Sequence, residues 1–186
     1  MRGLVTTILL GITIGCTAGY GHYKNIQPEI EVAYPIVIFD EEVLESKEET
    51  FEYDEDIPKE VQDAAEKYGK EYNISPELLE AIAFYESSYR ADVDSANGKY
   101  KGLMQIGGCH KDRMKKLGVT DLHDADQNMH VAADLLADLF MEHDEITVVL
   151  MRYNGDSSWK SGNISKYAKK VINKTIELEI KHGKYL

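Results

Sequence analysis

The sequence predicts a mainly α-helical domain, and three observations carry that reading. From Pro58 onward apolar residues recur at helical spacing, as in Val61, Ala64, Ala65 and Tyr68. The same stretch holds helix start and stop signals: Ser75-Pro76-Glu77 joins an N-cap, a proline at the first helical position and a first-turn acid, and Gly118 stands as a stop. The one strand-like segment is Val32 to Phe39, with Val37, Ile38 and Phe39 together, and Pro35 argues against a central strand there.

Taken in order, the first helix starts with Pro58 at its first helical position and runs toward Asn73. Ser75 caps the second, whose apolar stripe is Leu79, Ile82 and Ala83. A third is expected from His110 to Leu117. The fourth extends from about Asp124 to Glu142 on the apolar positions Val131, Ala132, Leu135, Leu136 and Leu139. Two more follow, from Glu145 to Tyr153 and from Ser161 to about Ile180.

Length and charge bound the rest. A chain of 186 residues, 43% hydrophobic and 29% charged, has material for one modest core plus appendages. Its net charge of −12 argues against nucleic acid or an anionic membrane surface as the main partner, because both attract basic patches. Arg2 precedes an apolar run from Leu4 to Ile14, short for a membrane span, and the small residues Gly15, Cys16, Thr17, Ala18 and Gly19 follow. Residues 1–21 are therefore expected to be a signal peptide or N-terminal anchor, with export to the cell envelope in a membrane-anchored or secreted form. Thr13-Ile14-Gly15-Cys16 resembles a lipoprotein signal only loosely. Residues 22–56 read as an acidic linker, partly ordered at 32–39, because the acids from Asp40 to Asp56 repel one another and extend the chain. The catalytic domain is expected over 57–186.

Glu86 occupies the next turn of the Leu79, Ile82, Ala83 stripe, where an acid is out of place. A carboxylate aimed at a core must find a partner, neutralise itself or do chemistry. Three ordered motifs accompany it: Glu86-Ser87-Ser88-Tyr89, then Gly102-Leu103-Met104-Gln105-Ile106, then Tyr153-Asn154-Gly155. Together they resemble lytic transglycosylases of the soluble-lytic-transglycosylase (SLT) type, which are glycoside hydrolase family 23-like. The resemblance covers about Ile57 to Val171, with Asn128 opening the fourth helix and Ile164, Tyr167 and Val171 in a closing one.

The resemblance implies a lysozyme-like fold, peptidoglycan glycan strands as substrate and no cofactor. It makes Glu86 the catalytic acid, which protonates the glycosidic oxygen between N-acetylmuramic acid and N-acetylglucosamine and then closes a 1,6-anhydromuramoyl ring. Ser87, Gly102, Met104, Gln105, Tyr153 and Asn154 become substrate-binding candidates. Met104 would supply an apolar contact and Gln105 an amide to the sugar. Tyr153 would hold the acetamido group or orient Glu86, with Asn154 bracing the turn and Ser87 acting through a neighbour. Asn128 reads as structural, and Tyr89, Tyr100 and Trp159 are candidates to line a sugar groove. Arg152 departs from the alanine common in the family.

Other readings stay in view. A hydrolytic muramidase would need a second carboxylate, for which Asp92 and Asp94 are the candidates, and a non-catalytic peptidoglycan binder would not need Glu86. Cys109 beside His110 could form a peptidase pair, although adjacency in sequence does not bring a base to a thiol. His123, Asp126 and His130 could hold a metal, although polar helix-face packing accounts for them equally.

Overall fold

A computed structural model describes residues 53–184; the expected export segment, and the expected linker up to residue 52 with its 32–39 stretch, lie outside them. Within that span the chain is mainly helical: α1 Lys59–Tyr72, α2 Pro76–Ser87, α3 Lys111–Leu117, α4 Ala125–Glu142, α5 Ile146–Tyr153 and α6 Lys166–Lys181. One antiparallel ribbon, β1 Tyr100–Lys101 and β2 Ile106–Gly107, pairs Tyr100 with Gly107 and Lys101 with Ile106. Short 3₁₀ turns occupy Gly108–His110 and Ser157–Ser161. No helix of the described residues is long and apolar enough to cross a membrane.

The helices begin and end where local chemistry directs. Asp124 accepts a hydrogen bond from the Gln127 amide and Ser165 from the Ala168 amide, so each satisfies a donor that the first turn leaves free. The helix expected from Ser161 starts only at Lys166, behind the Ser165 cap. Pro58 stands one residue earlier than expected, at the N-cap of α1. Between α1 and α2 the backbone turns sharply at Asn73 (φ 54°), and a Cβ on Gly69 would lie 2.7 Å from the Ile74 carbonyl oxygen. The ribbon was not expected, because strands of two residues carry too little period-two signal to read.

Helix α2 is the axis of the domain. It packs against α1 and α6, while α1 also packs on α4, and α5 joins α4 to α6. Leu79, Ile82, Leu103, Met129, Leu136, Leu150 and Val171 fill the shared core. Each large side chain so enclosed contributes roughly 1.5–3 kcal/mol relative to exposure. Only Phe84 and Tyr85 of α2 are well exposed, so its three acids, Glu77, Glu80 and Glu86, all enter or border the interior.

Two of those acids have opposite fates. Glu77 accepts from Lys184 (2.6 Å), Ser75 (2.7 Å) and His182 (3.1 Å), and Asp54 accepts from Lys181 (2.6 Å), so the end of α6 is pinned to the start of the domain. Tyr53–Asp56, at the end of the span read as linker, thus pack on the domain, and Gln62 bonds the Asp54 backbone through both its oxygen and its nitrogen. Burial pushes the Asp54 and Glu77 carboxyls up, but these hydrogen bonds outweigh it and leave both below their ordinary range. Glu80 is 1% exposed and its Oε2 has no hydrogen-bond partner among the described residues. Burial, then the charges of Glu77, Glu66 and Asp54, push its carboxyl up to about 8.

The Glu80 shift sets a pH window for stability. Below an ordinary value of 4.5 both folded and unfolded chains hold the proton; from there to about 8 only the folded chain does, so this group's contribution falls as pH rises. Glu80→Gln should flatten that decline and raise stability at pH 8 by roughly 1–4 kcal/mol. Urea unfolding at pH 5 and pH 8 measures it, and an unchanged difference between the two pH values would show that Glu80 ionises without penalty.

Candidate active site

Glu86, Gln105, Tyr153 and Asn154 line one cleft of about 280 Å³. Tyr100, Ile106, Gly107, His110 and Leu135 complete its walls, so Glu86 is the single carboxylate among the lining residues. Burial, then the nearby Arg113 charge, hold His110 below its ordinary range, which keeps the imidazole neutral in the cleft at pH 7.

The last turn of α2 delivers Glu86 to this cleft half-buried. Its Oε1 accepts a hydrogen bond from the Tyr167 hydroxyl of α6 at 2.6 Å. Burial raises the Glu86 carboxyl above its ordinary range, and the Tyr167 bond, which favours the ionised form, only partly opposes that rise. Burial and the Glu86 charge push the Tyr167 phenol up as well, so it remains a donor. Tyr153 was the tyrosine expected to hold the sugar's acetamido group or orient Glu86. Its hydroxyl instead donates to the Met104 carbonyl (2.8 Å), and Tyr167, read in the sequence only as part of the closing helix, touches the acid. The missed signal was its place one turn before the buried Val171, which turns it toward α2.

The backbone around the acid is strained. Ser88 (φ 55°) and Tyr89 (φ 62°) close α2 in the left-handed region, and Gln105 (φ 49°) adopts it in the second motif. Ser87 is buried with its Oγ donating to the Ala83 carbonyl (3.2 Å), so it braces the helix end and does not line the cleft.

Gly102 cannot be another residue. At φ 72° a Cβ would overlap the Leu122 carbonyl oxygen and the Asn128 amide. That close approach lets Asn128 accept from the Met104 amide (2.8 Å) and donate to the carbonyls of Lys101 (3.0 Å) and Leu122 (2.6 Å), the structural task expected of it. Met104 itself is fully buried, so the apolar sugar contact expected of its side chain is not available; its backbone N–H and C=O are instead bonded by Asn128 and Tyr153. Gln105 does reach the cleft. Its Nε2 donates to Gly102 O (2.9 Å) and Val93 O (3.2 Å), leaving Oε1 without a partner among the described residues.

The remaining candidates fall elsewhere. Tyr89 packs on Phe84, and Trp159 packs with His143 and Arg152. Asp94 bonds His123 (2.7 Å) and pairs with Lys101 (3.4 Å) outside the cleft, and exposed Asp92 does not line it either. Asp126 bonds Lys67 and Tyr68, and His130 bonds Tyr72, so His123, Asp126 and His130 have separate partners. Cys109 is a free, exposed thiol. A second groove of about 1330 Å³ lies between α1, α2 and the end of α6; of the acids that line it, Asp54 and Asp56 pair with Lys181 and Glu77 with Lys184, while Glu55 and Glu66 also border it.

Comparison with known proteins agrees with this geometry. Residues 63–176 match the family described as Transglycosylase SLT domain. The chain is 35% identical over 109 residues to invasion protein IagB of Salmonella typhimurium, covering 55% of this chain and 68% of that protein. It is 29% identical over 123 residues to protein IpgF of Shigella flexneri, covering 62% and 81%. A third relative, X polypeptide of Escherichia coli, is 32% identical over 87 residues, covering 44% and 52%.

Two outcomes follow from the geometry alone. Tyr167→Phe removes a donor to the ionised acid, so the Glu86 pKa should rise further; carboxyl-carbon NMR titration reads it directly, and an unmoved titration would mean the bond does not form in solution. Gly102→Ala should cost about 2–4 kcal/mol in chemical denaturation, from overlap plus left-handed strain, whereas a neutral result would show that the turn can relax away from Asn128.

Proposed function

Because the chain belongs to the SLT family of lytic transglycosylases, we propose that its cleft cleaves the β-1,4 bond between N-acetylmuramic acid and N-acetylglucosamine in peptidoglycan and leaves a 1,6-anhydromuramoyl end. The observation that carries the finer reading is the lone carboxylate of the cleft, half-buried, raised above its ordinary range and hydrogen-bonded by Tyr167.

One carboxyl suffices if the substrate supplies the nucleophile. Protonated Glu86 donates its proton to the glycosidic oxygen as the C1–O4 bond breaks, while the acetamido oxygen of the muramoyl sugar bonds to C1. The carboxylate left behind then takes the C6 hydroxyl proton, O6 bonds to C1, and the acetamido oxygen leaves. Glu86 ends protonated and no water is consumed. Its raised pKa serves the first half, and the Tyr167 bond stabilises the charge it carries in the second.

The other residues take supporting roles in this reading. Gln105 Oε1 and the Asn154 amide offer hydrogen-bonding groups to the sugars, and Tyr153 forms part of the cleft wall. Ser87, Gly102 and Met104 act on the substrate only through the backbone they hold. A hydrolytic muramidase is less well supported, because Asp94 is engaged by His123 and Lys101 and neither Asp92 nor Asp94 lines the cleft. We also propose export to the cell envelope, from the apolar run Leu4 to Ile14 and from the location of the polymer outside the cytoplasmic membrane.

Glu86→Gln preserves shape but removes the transferable proton, so it should fold normally and lower release of fragments from purified peptidoglycan by at least about 1,000-fold. Mass spectrometry of the parent enzyme's products should find anhydro-muropeptides. Reducing ends in their place would make the enzyme a hydrolase, and undiminished release by a folded Glu86→Gln protein would remove Glu86 from the chemistry.

A further inference from the structure

Tyr100 stands at the cleft without a structural reason for its ring. It is 49% exposed, and no other ring stacks on it among the described residues. Its hydroxyl has no hydrogen-bond partner there either. An exposed aromatic in a strand is ordinarily explained by β propensity alone. Here the surroundings hold the ring in place instead of burying it.

The backbone of Tyr100 is fixed on both sides by Ser95: its amide donates to Ser95 Oγ (3.0 Å), and its carbonyl accepts from the Ser95 amide (2.9 Å). Across the ribbon Tyr100 pairs with Gly107, and the ring rests on that glycine. A Cβ on Gly107 would stand 3.1 Å from Tyr100 Cε1 and 3.3 Å from Cδ1, closer than the ring tolerates without shifting. Gly107 has no positive φ to explain it, so what its missing side chain provides is a seat for the ring.

The cleft supplies the third part of the argument. At about 280 Å³ it lies just under the usual size of a small-molecule site, so a polymer bound at Glu86 must extend past its rim. One face of a pyranose presents C–H groups, which pack on an aromatic ring, while a phenol hydroxyl can bond the sugar's own hydroxyls. Resting on the proposed peptidoglycan cleavage, we propose that Tyr100, seated on Gly107, is the stacking platform for a sugar ring of the glycan strand next to the cleaved bond. It is a specificity residue for glycan length and takes no part in proton transfer.

The test uses the full chain carrying Glu86→Gln, so that glycans bind without being cut, and soluble tetrasaccharide and disaccharide fragments of alternating N-acetylglucosamine and N-acetylmuramic acid. Tyr100→Val keeps strand propensity and loses the ring; it should weaken tetrasaccharide binding about 10- to 100-fold in calorimetry, with the disaccharide affected less and the melting temperature unchanged. Tyr100→Trp should bind within about threefold of the parent. With Glu86 restored, Tyr100→Val should raise KM and leave kcat nearly unchanged. Equal binding by Tyr100→Val, loss with Tyr100→Trp as large as with valine, or no tetrasaccharide binding by the parent would each overturn the platform. Failure of the cleavage reading looks different: the Glu86 protein would bind the tetrasaccharide through Tyr100 and release no fragment from peptidoglycan.

Discussion

The backbone of Met104 is held on both sides of its Cα, and the cleft is assembled around it. Asn128 of α4 accepts from its amide, and Tyr153 of α5 donates to its carbonyl. Both bonds lie where water is scarce, so losing either partner would strand a buried polar group at a cost of about 1–3 kcal/mol. Two consecutive helices are thereby registered on one turn between β1 and β2 that precedes both in the chain. Gly102 permits the arrangement because any side chain there would drive Asn128 away. Gln105 follows in a left-handed conformation, and its amide nitrogen folds back onto the same turn. The ribbon is too short to be stable alone, so the grip on Met104 keeps Tyr100 and Gly107 opposite one another.

Glu86 meets this assembly from the other side, on a helix fixed by the core. Desolvation and the Tyr167 bond act against each other, and desolvation is larger, so the resting acid keeps its proton beyond the usual carboxyl range. A fully apolar pocket would raise the pKa more but would leave the carboxylate formed in the proposed reaction unsupported. A cationic partner would do the reverse and discharge the acid before it could act. A neutral phenol whose own pKa is pushed up lies between the two: it donates to either oxygen state and brings no charge. Strain at Ser88 and Tyr89 has the same location, at the helix end that aims the acid, which is where such cost is tolerated in return for position.

Much of the helical frame was legible because its signals are local. The N-cap position of Ser75, the stop at Gly118, the expected start near Asp124 and the stripe through Leu79 and Ile82 place α2, α3 and α4 within a residue or two, although the Ser75 hydroxyl bonds Glu77 and not a first-turn amide. Glu86 could be read as an acid in the wrong place for a core, and the three motifs located Gln105, Tyr153 and Asn154 in one cleft. What could not be read depends on contacts between distant segments. Nothing local distinguishes Tyr153, bonded to a backbone carbonyl, from Tyr167, bonded to the acid, since the difference lies in which helix each faces. Met104 and Ser87 belong to motifs that surround the site, yet a motif does not say whether a side chain faces substrate or core. The two-residue strands, and with them the seat of Tyr100, emerge only when the Met104 turn is closed.

Glu80 shows why a displaced pKa alone does not identify a catalytic acid. It sits on the same helix as Glu86, is more deeply buried, and has its carboxyl raised to about 8, with no hydrogen bond to its Oε2 among the described residues. By perturbation alone it would be the better candidate. It lines neither the cleft nor the larger groove, and burial first, then repulsion from Glu77, Glu66 and Asp54, raises its pKa, which yields a cost in stability without a use. Glu86 differs in three respects that are all geometric: it opens to a cavity, it has a neutral donor in contact, and no second carboxylate lines that cavity among the described residues. The last of these bears on the chemistry most directly. With no second acid among the described lining residues to activate water or attack the sugar, the proposed cleavage draws its nucleophile from the substrate, and a glycan with an acetamido group and a C6 hydroxyl near the anomeric carbon carries both.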